Sequence, residues 1–147
     1  MKITDLSPQL EMELHDLIGV LDLSTDVLKD LELFARFDLN GRVQGFAGSR
    51  EFDEACLLVL VVVREDSRGK GIGSALISHI LWHYAGKVEQ MYLVTKTAEE
   101  FFQRFGFRKM AIDKLPQNIA DAAGLESLFS PGAVMMSLSL PRSWSMT

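Results

Sequence analysis

Seven consecutive residues, Arg68-Gly69-Lys70-Gly71-Ile72-Gly73-Ser74, combine three glycines with two cations. The chemistry open to such a run is anion binding. Glycines accept positive φ and let the backbone approach a ligand, so neighbouring N–H groups converge on one point. The run follows an apolar stretch, ACLLVLVVV at 55–63, and precedes apolar residues at helical spacing. A helix that opens there adds unpaired amides and partial positive charge at its first turn. Arg68 and Lys70 add two full charges. A phosphate or pyrophosphate fits this description. The Walker A pattern G-x-x-x-x-G-K-[ST] is not met. Nor is the dinucleotide pattern G-x-G-x-x-G: counted from Gly69 its third glycine is Ser74, and counted from Gly71 it is Leu76. The plain alternative is a glycine turn into a structural helix.

The elements that must position this loop are readable from periodicity. Residues 2–4 suit a short strand. Ser7-Pro8 is a helix start, with Leu10, Leu14, Leu17 and Ile18 on one face and Gly19 at the end. Ser24-Thr25-Asp26 opens a second short helix. Residues 32–39 and 42–49 form a hairpin about Asn40-Gly41, which suits a type I′ turn. Residues 55–63 are apolar on both faces, as in a covered central strand. In that strand strict alternation puts Leu57, Val59, Val61 and Val63 on one face and Cys56, Leu58, Leu60 and Val62 on the other. The helix after the loop carries Leu76, Ile77, Ile80, Leu81 and Tyr84 on one face and ends at Gly86. Residues 91–95 read as a strand. Thr97-Ala98-Glu99-Glu100 reads as a capping box for a helix bearing Phe101, Phe102 and Phe105. A further helix is expected over 116–129 and a closing strand over 133–140. This succession predicts an α/β (α+β) domain with a mixed, mostly antiparallel central sheet flanked by helices.

The chain has 147 residues, 48% of them hydrophobic and 24% charged, which suits one globular domain over 1–147. A net charge of −5 excludes the basic stripe of a general nucleic-acid binder. The longest apolar run is far short of the roughly 20 residues of a membrane-spanning helix. Asp5, Glu11 and Glu13 interrupt any signal-peptide core. A cytoplasmic location is therefore expected, with no membrane and no nucleic-acid partner. One cysteine, Cys56, excludes an internal disulfide framework.

The stretch V-V-V-R-E-D-S-R-G-K-G-I-G-S-A-L resembles the acetyl-CoA-binding signature of the GNAT superfamily of N-acetyltransferases, with Arg68, Gly71 and Gly73 at its fixed positions. A second block, T-K-T-A-E-E-F-F-Q-R-F-G-F, resembles that family's N-x-x-A-x-x-F-Y-x-x-x-G-F helix. Together with the hairpin before them, the two blocks cover most of residues 32–108. The segment after Gly106, with L-P-Q-N-I and S-P-G-A-V-M-M, resembles a small GNAT subgroup found with arsenic-resistance genes.

The resemblance implies acetyl-CoA as co-substrate, with no metal, and a primary amine of a small molecule as acceptor. It implies that the coenzyme pyrophosphate meets the amides of Arg68, Gly69, Lys70, Gly71, Ile72, Gly73 and Ser74. The pantetheine arm would pair with Val61, Val62 and Val63, and an N–H near Val62 or Val63 would face the developing oxyanion. Thr95 falls where the family has Asn, and Phe102 where it often has an acidic Tyr. No side chain of residues 56–63 is an ordinary base. Glu51 and Glu54 at the rim are the candidate bases, beside Asp53 and Glu65, and Tyr92 the candidate acid; a solvated carboxylate and a core tyrosine are the plain alternatives. His15 reads as a packing or surface residue. His79 and His83 are spaced i, i+4, but a third metal ligand is missing. Cys56 reads as a buried small hydrophobe, with an acetyl-cysteine role as the alternative. Two other functions stay open: a non-catalytic acetyl-CoA sensor or partner subunit, and acetylation of a protein N-terminus or lysine. Many members of the family dimerise, so the resemblance also admits a homodimer.

Overall fold

The computed structural model describes residues 2–3, 31–39, 42–122 and 131–140. The expected helices after Ser7 and Ser24 and the Asn40-Gly41 turn lie outside them; of the helix expected over 116–129 the described residues form only Gln117–Ala120, which ends at Asp121, and residues 123–129 lie outside. The elements are β1 (Lys2–Ile3), β2 (Leu33–Leu39), β3 (Arg42–Phe52), β4 (Ala55–Val63), a 3-10 turn (Glu65–Ser67), α1 (Ile72–Tyr84), β5 (Gln90–Thr95), α2 (Glu99–Gln103), β6 (Arg108–Met110), a 3-10 turn (Ile112–Lys114), α3 (Gln117–Ala120) and β7 (Val134–Ser139). The seven strands follow the order β1-β2-β3-β4-β5-β7-β6 in a mixed α+β fold, and the β1–β2, β2–β3, β3–β4 and β6–β7 pairs are antiparallel. The chain falls into two compact units, one of residues 1–5, 31–91 and 139–147, the other of residues 6–30 and 92–138. Each is taken by itself.

In the first unit β3 carries small residues on one face. Cross-strand pairs share a face, so Gly45, Ala47, Ser49 and Glu51 of β3 lie with Val63, Val61, Leu58 and Cys56 of β4. Helix α1 covers this face. A Cβ built on Gly45 would stand 2.9 Å from the Val62 carbonyl oxygen, 3.1 Å from Leu76 Cδ1 and 3.3 Å from Ile72 Cγ2. Leu76, Ile77 and Ile80 are fully buried. At the far end of α1 the Tyr84 and Ser49 hydroxyls lie 2.6 Å apart, both buried. The helix is therefore fixed at both ends.

The alternation expected for β4 is corrected by a bulge. Gly48 pairs with Leu60 and Ser49 with Leu58, so Val59 is an extra residue. The slip puts Leu57 on the face of Val62, and Leu58 on the face of Val61 and Val63. A second irregularity lies in β3: Phe37 pairs with Gly45 but Asp38 with Val43, so the β2–β3 ladder passes over Gln44.

In the second unit Phe102 and Phe107 are buried with Leu93, Leu115, Ile119, Met135 and Met136. Ring centroids of Phe102 and Phe107 are 5.8 Å apart, and those of Phe101 and Phe102 are 5.1 Å apart. The expected Thr97 capping box does not form. Ala98 holds the cap position without a side-chain bond of its own. Its N–H instead donates to Thr95 Oγ1 at 3.0 Å. Helix α2 ends in a turn closed at Gly106, whose φ is +97°.

Two substitutions test the α1 contact. Gly45→Ala should lower stability by about 1–3 kcal/mol, because the methyl meets a backbone oxygen that cannot yield cheaply. Ser49→Ala should cost about 1–3 kcal/mol by leaving the buried Tyr84 hydroxyl without its partner. Urea denaturation followed by circular dichroism measures both, and wild-type midpoints would count against the packing described.

Candidate active site

The glycine loop leaves β4 through one 3-10 turn. Ser67 N–H donates to the Arg64 carbonyl at 2.9 Å, and Arg68 N–H to the Glu65 carbonyl at 3.4 Å. Gly69 and Gly71 then adopt φ of +80° and +79°. A Cβ built on either glycine meets no atom within 4 Å. Packing therefore does not demand glycine at these two places; the backbone conformation does. The open space beside them is room for a ligand. Gly71 is also the N-cap of α1 and supplies no side-chain cap. Ala75 N–H reaches the Gly71 carbonyl at 3.0 Å. The amides of Ile72, Gly73 and Ser74 precede that bond and have no acceptor within the helix. Arg68, Lys70 and Ser74 are exposed around them, while Ile72 turns inward and is buried. Unpaired amides, the positive end of a 13-residue helix and two cations thus converge at one exposed loop. These residues suit a pyrophosphate-bearing ligand.

Val61, Val62 and Val63, all half-buried, form the end of β4 that feeds this loop. Glu51 and Glu54 are exposed at the opposite end of the strand. Glu51 pairs in register with Cys56, and its N–H donates to the Glu32 carboxylate at 3.0 Å. Cys56 precedes Val62 by six residues, roughly 20 Å at strand rise. Glu51 and Glu54 are therefore not beside the glycine loop, whereas Glu65 lies in the turn that opens it. Tyr92, Thr95 and Phe102 belong to the second unit. Tyr92 is 8% exposed, and burial raises its pKa above the ordinary tyrosine value. The Thr95 hydroxyl oxygen accepts the Ala98 N–H ahead of α2, and Phe102 sits in the phenylalanine cluster. Burial, then the Lys87 charge, lowers the pKa of His83. Among the described residues no three His, Cys, Asp or Glu side chains are grouped as a metal site. No helix there is long and apolar enough to cross a membrane.

Two residues at this site escape motif reading. Ser67, 3% exposed, donates its hydroxyl to the Gln44 side-chain oxygen, and Gln44 is 8% exposed. The only sequence signal is a glutamine in the otherwise apolar run Val43-Gln44-Gly45-Phe46-Ala47.

The model of the acetyltransferase (GNAT) domain matches residues 30–109, more than half of the chain. The chain belongs to the GNAT acetyltransferase family. No curated protein matches its sequence. Solved structures match it by fold. A GNAT-family acetyltransferase from Staphylococcus aureus is 18% identical with a TM-score of 0.76, and the match covers 95% of this chain and 99% of that one. The ribosomal-protein-S18-alanine N-acetyltransferase from Escherichia coli is 16% identical with a TM-score of 0.70, covering 97% and 96%. N-acetylglutamate synthase from Neisseria gonorrhoeae, solved with coenzyme A and N-acetyl-glutamate, is 15% identical with a TM-score of 0.75. That match covers 96% of this chain and 35% of the synthase, so the GNAT domain spans about a third of the larger enzyme.

Cys56 of this GNAT domain carries no reactive thiolate. Burial first, then the Glu51 charge, pushes its pKa to about 12. An acetyl-cysteine intermediate would need an exposed, low-pKa thiol. The folded value lies above the roughly 8.5 of a free thiol. Its contribution to stability is therefore complete below about pH 8.5 and is lost as pH rises through the folded value near 12. A thiol reagent at pH 8 should leave the native protein unlabelled and label it fully in denaturant. Cys56→Ala should shallow the loss of melting temperature between pH 8.5 and 11. Rapid labelling of the native protein would contradict this burial.

Proposed function

We propose that this GNAT domain is an N-acetyltransferase that moves an acetyl group from acetyl-CoA to a primary amine of a small molecule. One observation carries the reading. The uncapped start of α1 follows two positive-φ glycines and the two cations Arg68 and Lys70, in a chain of the acetyltransferase family. The amides of residues 69–74 hold the coenzyme pyrophosphate, the Arg68 amide being bonded to the Glu65 carbonyl. Val61, Val62 and Val63 offer backbone groups to the arm that follows, and an N–H of Val62 or Val63 stabilises the oxyanion. Bound acetyl-CoA supplies an activated thioester carbonyl. Holding amine and carbonyl in line supplies much of the remaining rate.

The proton steps fall to residues outside the strand. Tyr92 is the proposed donor to the departing thiolate; like any tyrosine it is protonated at neutral pH, and its burial makes it a reluctant acid. Glu51 and Glu54 stand at the far end of β4 from Val62 and Val63, so their part in taking the amine's proton requires a chain of ordered waters rather than direct contact. The resemblance of the segment after Gly106 to the arsenic-associated subgroup supports an acceptor of amino-acid character. A cytoplasmic home and a homodimer go with the same reading. The absence of a base on β4, together with Phe102 at the family's tyrosine position, favours a second reading as an acetyl-CoA sensor.

Calorimetry with acetyl-CoA tests the carrying observation. Binding is expected, with a rise in melting temperature; no heat and no thermal shift at millimolar ligand would end the proposal. Gly71→Val should abolish binding in a folded protein, because a β-branched residue resists φ near +79° and fills the open space. Circular dichroism checks that fold.

An amine screen reading free thiol separates enzyme from sensor: binding without turnover on any amine would favour the sensor. In an active protein the rate should climb with pH, since alkyl ammonium groups titrate near 10. Tyr92→Phe should cost about tenfold or more. A flat profile from pH 6 to 10, with full activity in Tyr92→Phe, Glu51→Gln and Glu54→Gln, would reject this assignment of proton steps.

A further inference from the structure

Gln44 holds the approach to the glycine loop twice. Its backbone carbonyl accepts the Arg64 N–H at 2.8 Å, just past the last β3–β4 pair, Gly45 with Val63. Its side-chain oxygen accepts the Ser67 hydroxyl, in a contact buried at both ends. The Ser67 hydroxyl also lies 3.3 Å from the Asp66 carboxylate. Gln44 is the residue that the β2–β3 ladder passes over. A bulge re-aims a side chain, and here the re-aimed side chain meets the turn that opens the loop.

The position of this contact matters more than its strength. Ser67 closes the 3-10 turn, and the positive-φ glycines begin two residues later. Beyond Ser67 the loop makes no packing contact through Gly69 or Gly71. The direction of the amides at residues 68–71 is therefore set at two anchors: Ser67 on one side and α1 on the other. A loop held in its binding conformation binds an anion without a further ordering cost. We propose that the Gln44–Ser67 hydrogen bond is a positioning clamp that pre-sets the glycine loop for the pyrophosphate of acetyl-CoA, so that both are positioning residues for coenzyme affinity. The proposal rests on the acetyl-CoA reading above, but its geometric half is testable without ligand.

Two measurements on Ser67→Ala, Ser67→Thr and Gln44→Met decide it. The first is amide hydrogen exchange of the ligand-free protein. Ser67→Ala should speed exchange at the Ser67 and Arg68 amides, which bond the Arg64 and Glu65 carbonyls, and leave β3, β4 and the middle of α1 unchanged. The second is calorimetry with acetyl-CoA. Ser67→Ala and Gln44→Met should each raise Kd about tenfold, and the double variant should be no worse than either, as coupled partners require. Ser67→Thr keeps the hydroxyl and should restore both readouts. If Ser67→Ala fails to fold, Gln44→Met, which keeps the backbone carbonyl and the bulk, carries the test. Unchanged exchange at Ser67 and Arg68 overturns the clamp, as does wild-type affinity in the variants. Faster exchange spread through β3 and β4 also overturns it, since the bond would then serve the fold at large. A wild-type protein that does not bind acetyl-CoA would end the coenzyme reading, and exchange alone would then judge the clamp.

Discussion

The closeness of α1 to β3 is the constraint on which the glycine loop depends. Gly45 leaves no room for even a methyl group between β3, the Val62 carbonyl and the first turn and a half of the helix. The helix start is thereby fixed against the strand that precedes the loop. Ser49 and Tyr84 do the same at the other end with a buried hydroxyl pair. An anion site made of backbone amides has no side chains to adjust its geometry. It is only as accurate as the helix that presents it, so small residues buried under α1 become part of the site's design.

Two irregularities divide the work on either side of Gly45. The extra residue at Val59 shifts β4 by one position, so its two ends present opposite parities to the covering helix. The ladder skip at Gln44 frees one polar side chain in an apolar run and turns it toward the loop. Both sit in strands whose remaining pairs are regular. Bulges next to functional sites are common because they redirect side chains without ending a strand.

Much of the fold was legible in the sequence because long apolar strands and amphipathic helices leave clear periods. Residues 55–63 match β4 in full, and α1 begins one residue before the expected Gly73 boundary. The bulge was illegible for a physical reason: β4 is apolar on both faces, so a one-residue slip changes no hydrophobic pattern. The Thr97 cap does not form because α2 starts one residue later than expected, with Ala98 at the cap position. The anion loop was readable from glycine spacing and charge. The Gln44–Ser67 contact was not, since a long-range side-chain pair leaves no local signature. Glu51 and Glu54 are candidates because of their place at the rim of the strand over 55–63, and the structure puts them at the far end of β4 from the loop.

The glycines of the first unit are glycines for unlike reasons, and descent should record the difference. Gly45 is fixed by crowding, so any side chain at all is excluded there for as long as α1 packs on β3. Gly69 and Gly71 are fixed by handedness in open space, and asparagine is the L-residue that tolerates such φ best. In a lineage that stops using the ligand, positions 69 and 71 are free to drift toward asparagine or to lose their left-handed turn. Position 45 has no such freedom. The pattern of substitution at these three sites would therefore separate a family member that has kept its chemistry from one that has kept only its shape.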